Sequence, residues 1–320
     1  MYLEHFGLEQ PPFRITPDTR VFYEGGDRGA VLEALAWAVE NGEGIVKVVG
    51  EVGSGKTVLC RMLAQKLPDH VDLVYLVDPG LGPDDVVPAV AFELGLDIRA
   101  EERLAQQHRL HEELVARHAR GRQVVVFIEE AQNMPLATLE SLRLLSNLET
   151  DDAKLLQIVL FGQPELDRNL DANEIRQLRE RITHSFDLQP LGRQDVTRYL
   201  NFRLRAAGYR GPDLFSPRVA RALNRHAQGL IRRLNVLADK ALLAAYAEGT
   251  HTLRPRHVRR AARDVQSPAR RVRIGRRRAM LAGAAVILIV AMAWIVLSGQ
   301  GPGYIETELA IGNTAGGDRQ

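Results

Sequence analysis

Hydrophobic positions along the chain change their spacing near residue 190. Before it, short β-branched or apolar runs at 45–49, 73–77, 124–128 and 155–161 alternate with segments whose apolar residues recur at helical spacing. Those segments are 57–67, 84–94, 101–120 and 135–148. Runs this apolar leave no wet face, so they read as strands buried on both sides. Strands alternating with helices build a parallel sheet covered on both faces. After residue 190, segments 195–206, 217–226, 232–248 and 255–265 all keep helical spacing, with no strand between them. The pattern predicts an α/β domain at 41–190, a helical lid at 191–265, and a leading segment at 1–40.

A third pattern lies further on. Residues 279–297 carry no charge and no proline. At about 1.5 Å rise per residue this run just crosses a hydrocarbon core of about 30 Å. Trp294 suits an interfacial anchor, and six arginines between 270 and 278 precede the run. The expectation is one transmembrane helix, with everything before it on the cytoplasmic side of a bacterial inner membrane. Residues 266–278 then form an Arg-rich juxtamembrane linker and 298–320 a short disordered external tail. No basic region followed by an apolar core opens the chain, so no signal peptide is expected.

Composition adds limits. With 45% hydrophobic and 26% charged residues the chain is ordinary for globular protein. Its single cysteine, Cys60, excludes an internal disulfide, and no Cys/His group has zinc-ligand spacing. The net charge of +2 conceals an asymmetry: residues 254–278 hold eleven arginines against one aspartate, which leaves 1–253 acidic. An acidic body argues against nucleic acid as a partner; the arginines beside the apolar run suit anionic lipid headgroups.

The chemistry starts after the first strand. Gly50-Glu51-Val52-Gly53-Ser54-Gly55-Lys56-Thr57 fits G-x-x-x-x-G-K-[ST] between a β-branched run and an amphipathic helix. Glycines let backbone N–H groups turn inward around phosphate oxygens, and the helix N-terminus adds unpaired donors. Lys56 is placed to reach β- and γ-phosphates and Thr57 to ligate Mg²⁺; Val58 completes the expected nucleotide-binding set. The second motif is Val124–Ile128 ending in Glu129-Glu130, a Walker B pattern. Glu129 is the expected Mg²⁺ support and Glu130 the group that polarises water. Glu129 stands where an aspartate is usual, and the extra methylene bears on hydrolytic rate because Mg²⁺ demands near-octahedral geometry.

Three further candidates follow from layout. Gln163, in Gly162-Gln163-Pro164 at the end of a strand, fits a water-orienting side chain and a plain turn residue equally well. A helical lid behind an α/β nucleotide domain is the AAA+ layout, in which Arg232 starts a helix facing the nucleotide. Arg179 and Arg181 lie near the domain junction, and Arg181 is the first candidate for an arginine finger directed at a neighbouring subunit.

With these residues assembled, the chain resembles the ExeA/GspA family of AAA+ ATPases, and within it the MshM-type ATPases of MSHA type IV pilus biogenesis. The likeness rests on Phe6-Gly7-Leu8, Pro12-Phe13, Thr16-Pro17-Asp18 and Phe22, on Gly50–Thr57 with Leu59-Cys60-Arg61, and on Glu130-Ala131-Gln132. The run Leu142–Glu149 and Gly162-Gln163-Pro164-Glu165-Leu166 extend it over roughly residues 1–265. The resemblance implies a P-loop fold, ATP and Mg²⁺ as cofactors, an oligomeric ATPase, and inner-membrane secretion or pilus assembly proteins as partners. It implies further that the opening segment lies near the adenine, that Gln163 is sensor 1, and that Arg232 is sensor 2. Longer relatives carry a peptidoglycan-binding domain beyond the membrane, which residues 298–320 are too short to supply. Two alternatives to an assembly motor stay open: an ATP-binding oligomerisation switch with weak hydrolysis, and a DNA-associated ATPase of the transposition or replication type.

Overall fold

The computed structural model describes residues 1–150 and 153–266. Five strands form one sheet: β1 (Ile45–Val49), β2 (Val71–Leu76), β3 (Gln123–Ile128), β4 (Leu156–Gly162) and β5 (Ile182–Asp187). Their order is β2-β3-β4-β1-β5 and every pairing is parallel. Strand alternation splits the apolar side chains between two cores. Val124, Val126, Ile128, Ile158 and Leu160 face the helices Val86–Glu93, Arg103–Ala119 and Leu136–Leu145. Val125, Phe127, Val159 and Phe161 face the helices Arg28–Glu40 and Lys56–Lys66. The α/β parallel-sheet core read from the sequence is therefore present, with helices on both faces.

Two elements were not legible in the hydrophobic pattern. β5 reads ITHSFD, with polar residues at alternate positions. It is an edge strand paired only with β1, so one face stays wet and no apolar run marks it. The helix Arg28–Glu40 buries Leu32, Leu35, Ala36 and Val39 from within the segment taken as a lead-in.

After β5 the helices Arg193–Ala206, Pro217–Ala227, Ile231–Ala247 and Pro255–Gln266 pack around a separate core. Phe6, Leu8 and Phe13 are buried in that same core, so the opening residues belong by packing with the lid. Burying each such side chain is worth about 1.5–3 kcal/mol. Polar contacts fix the same segment: Arg203 Nε donates to Pro12 O (2.8 Å) and Asn235 Nδ2 to Arg14 O (3.3 Å). Residues 14–23 are thereby carried from the lid across to the first helix of the α/β domain.

Among the described residues no helix is long and apolar enough to cross a membrane. The segments expected as juxtamembrane linker, transmembrane helix and external tail lie outside the described residues, apart from Gln266, which ends the last helix.

Candidate functional site

β1 delivers the chain to the loop 50–55 at the C-terminal edge of the sheet, between β4 and β5. Gly50 N–H donates to Gly162 O of β4 (3.1 Å), pinning the start of the loop. Gly53 (φ 81°) and Gly55 (φ 108°) lie in the left-handed region, where any other residue is strained. The helix Lys56–Lys66 begins directly after. Its first-turn N–H groups have no partner inside the helix and carry the positive end of the dipole.

Lys56 is buried, and its ammonium donates to Gly50 O (2.7 Å) and Glu51 O (3.2 Å). Burial pulls its pKa down, while Glu130, Glu51, Glu129 and Glu165 pull it back up. Beside it a cavity of about 480 Å³ is lined by Val52, Gly53, Gly55, Lys56, Thr57 and Glu130. Its lining also includes the apolar residues Ile15, Pro17, Phe22, Val58, Leu188 and Ile231. One chamber thus combines a cationic, N–H-rich loop with apolar surface, the two kinds of lining a phosphate chain and a base require.

The residues fit a nucleoside triphosphate on this structure's own terms. Ser54 Oγ is buried without a hydrogen-bond partner at the base of the loop, and Lys56 is paired with neutral carbonyl oxygens alone. Both are polar groups suited to an anion. Among the described residues no group of three or more His, Cys, Asp or Glu side chains could hold a metal ion. Mg²⁺ would therefore take few protein ligands here, Thr57 and Glu129 being the candidates, with phosphate oxygens and water completing the shell.

Glu130 sits just past β3 with φ 54° and ψ 35°, an uncommon conformation for a non-glycine residue. Its Oε2 accepts from Gln132 Nε2 (2.7 Å) and from Gln163 Nε2 (2.9 Å). Burial pushes the Glu130 pKa up; the two amide donors and Lys56 outweigh it and hold the carboxyl below its ordinary value. It is an anion at neutral pH, as a proton acceptor must be. Gln132 Oε1 also accepts from the Gln163 N–H (2.9 Å), a backbone donor that fixes which end of the amide faces the carboxylate. The Gln163 side chain thus reaches Glu130. Gln132 was visible in the sequence only inside a matched motif, and its bridging role needed the fold.

Arg232 stands at the start of the helix Ile231–Ala247, where its N–H donates to Gly53 O (3.1 Å). A Cβ built on Gly53 would lie 2.6 Å from Arg232 Cβ, so glycine here permits the lid to meet the loop. The Arg232 side chain lines the cavity with Lys56 and Thr57. Glu129 is half-buried at the end of β3 and does not line it. Arg181 is exposed after the helix Arg176–Glu180, lies outside the cavity, and makes no ion pair among the described residues. Arg179 pairs with Asp171 at 2.7 Å.

Sequence reasoning missed Arg28. A lone arginine in a glycine-rich stretch reads as solvated, yet this one is 2% exposed. Its guanidinium donates to Gly26 O (3.0 Å), Ser54 O (3.1 Å) and Gln189 O (3.0 Å). It joins the opening segment, the phosphate loop and the connection into the lid at one point.

The comparisons agree with this geometry. A family described as an AAA domain matches residues 39–170. General secretion pathway protein A of Aeromonas hydrophila is 41% identical over 254 residues, 79% of this chain and 46% of that protein. The chain therefore spans about half the length of that relative. Among solved structures, Cdc6p of Pyrobaculum aerophilum is similar with a TM-score of 0.60 at 20% identity, covering 78% of this chain and 71% of that one. The ORC2 protein of Aeropyrum pernix, in ADPNP-ADP complexes, gives 0.56 at 20% identity, covering 79% and 72%. At such identity these two speak for the fold alone. Phosphate loop, paired glutamates, lid arginine and the GspA likeness converge in support of an ExeA/GspA-family AAA+ ATPase.

Proposed function

We propose that the chain binds ATP with Mg²⁺ at the loop 50–57 and hydrolyses it, and that the cycle serves assembly of a secretion or pilus apparatus at the inner membrane. The observation that carries the reading is Glu130. Its carboxylate is held by Gln132 and Gln163 and lines the same cavity as Lys56 and Thr57. When bound, ATP and Mg²⁺ supply the phosphoryl group and the neutralising charge. The chain's own residues do the rest. Lys56 and the loop N–H groups hold phosphate oxygens, and Thr57 and Glu129 support the cation. Glu130 accepts a proton from attacking water, and Gln163 orients that carboxylate. Arg232, arriving with the lid, adds positive charge to the phosphate end, and Arg181 of a neighbouring copy adds a second in an oligomer. The secretion role is drawn from the GspA likeness, the pilus role from the narrower resemblance to MshM-type ATPases, and the membrane placement from residues 279–297.

Phosphate release by the full chain tests the reading. Wild type should turn over ATP; Glu130→Gln should bind with similar affinity and release phosphate at least about 100-fold more slowly. Equal rates for the two would overturn it. A second reading has its own support: Glu129, with its longer side chain, does not line the cavity. A switch that binds ATP, oligomerises and hydrolyses little would show nucleotide-dependent assembly and a rate increase in Glu129→Asp.

A further inference from the structure

The helix Pro255–Gln266 divides into two faces. His257, Val258, Ala261 and Ala262 are buried against the lid, which locks the helix in place. Arg256, Arg259, Arg260 and Arg263, spaced i, i+3, i+4 and i+7, share one exposed face, and Arg254 precedes them, also exposed. Arg256 pairs with Glu248 at 2.7 Å. Among the described residues Arg254, Arg259, Arg260 and Arg263 have no acidic partner within 4.0 Å. Three unpaired arginines on one rigid face, with Arg254 just before them, add no ion pair to the lid's own fold among the described residues, so the face is read as a contact surface.

We infer that this arginine face docks the lid onto anionic phospholipid headgroups. Three observations select that occupant. Guanidinium forks match phosphate oxygens, and a ridge of them on a fixed helix presents an ordered array. The chain before residue 254 is net acidic, and the helix is followed in sequence by the arginines at 270–278, so basic charge gathers at this end of the chain. In sequence the helix is the last described element before the uncharged run 279–297, and 12 intervening residues reach at most about 43 Å when extended. If that run enters the bilayer, as the proposed function holds, the arginine face is tethered within that reach of headgroups.

The test uses the full chain. Cys60 is buried, so a cysteine introduced as Thr252→Cys, exposed just before the helix, takes a fluorophore selectively. Flotation with pure phosphatidylcholine vesicles reads the apolar run alone. Quenching of the fluorophore by headgroup-borne spin labels, in vesicles with and without about 30% phosphatidylglycerol, reads the face. The expected result is flotation on both vesicles and quenching that rises only with phosphatidylglycerol and fades at high salt. Changing Arg256, Arg259, Arg260 and Arg263 together to Gln should lower the docked fraction ratio about 100-fold while flotation and nucleotide affinity persist. A fourfold Arg→Lys variant should keep most of the quenching. Flotation with quenching indifferent to lipid charge overturns the inference and leaves the anchor intact. Failure to float on phosphatidylcholine overturns the anchor, and the face then stands or falls on flotation with phosphatidylglycerol vesicles. Salt-sensitive binding of duplex DNA that the Gln variant loses, with no lipid dependence, overturns it in favour of nucleic acid.

Discussion

Arg28→Met removes a side chain that hydrogen-bonds the opening segment, the phosphate loop and the connection to the lid together. Methionine keeps much of the volume and donates nothing. Three carbonyl oxygens lose a charged donor, and the contact to Ser54 O is buried whereas those to Gly26 O and Gln189 O are partly open to water. A hydrogen bond to a charged group is worth about 1.5–3 kcal/mol, and water recovers part of it where it reaches. Taking the full value for Ser54 O and about half for the other two gives a loss of roughly 3–6 kcal/mol. Against this, the variant no longer desolvates a guanidinium, the dominant cause that lowers the Arg28 pKa and opposes its burial. Allowing about 1–2 kcal/mol for that relief leaves a net destabilisation of roughly 1–5 kcal/mol, centred near 3. In a chain of this size, thermal unfolding should move down by about 5 °C. Because Ser54 belongs to the loop, ATP affinity by calorimetry should fall at least tenfold, and Arg28→Lys should lie between. A midpoint within 1 °C of wild type with unchanged affinity would refute the assignment of Arg28 as the tie between loop and lid.

Three further outcomes are expected. In Gln132→Ala, Glu130 loses one of two amide donors, so its pKa rises towards the ordinary 4.5. Since the wild-type value lies below that, the acid limb of the turnover profile should shift to higher pH in the variant; an unmoved limb counts against it. Gly53→Ala places a methyl 2.6 Å from Arg232 Cβ at φ 81°, a cost of about 1–3 kcal/mol, and nucleotide affinity should fall with it, measured by calorimetry. Asp72 in β2 is hydrogen-bonded by Arg122 and by Arg117 (2.7 Å), and these contacts hold its pKa below 3.8 against a smaller opposing effect of burial. Its stabilisation is present above that value and lost as pH falls through the folded one. Denaturant titrations from pH 6 to pH 2 should show Asp72→Asn less stable at pH 6 and less steeply dependent on pH; parallel curves would sink this.

Much of the site was legible because it is local. Strand, glycine loop and helix N-terminus occupy consecutive residues, so Ile45–Val49 and Gly50–Thr57 announce both the fold and the phosphate cradle. Glu130 follows a run of five apolar residues, and Arg232 opens a helix. The two sheet cores follow from strands too apolar to face water on either side. β5 was hidden because an edge strand with one wet face carries half the apolar signal, and Ile182, His184 and Phe186 alternate with Thr183 and Ser185.

What tertiary structure decided are the contacts that span the chain. Phe6, Leu8 and Phe13 join the lid core nearly two hundred residues away. Arg28 finds its partners at Gly26, Ser54 and Gln189. Gln132 meets Gln163 only because β3 and β4 lie side by side with the right register. Sequence determines such contacts through the whole packing and not through any window of it, since a buried polar group is recognised by its partners and those are chosen by the fold. Periodicity and motif spacing are properties of neighbours along the backbone, and so a short window of sequence carries them whole.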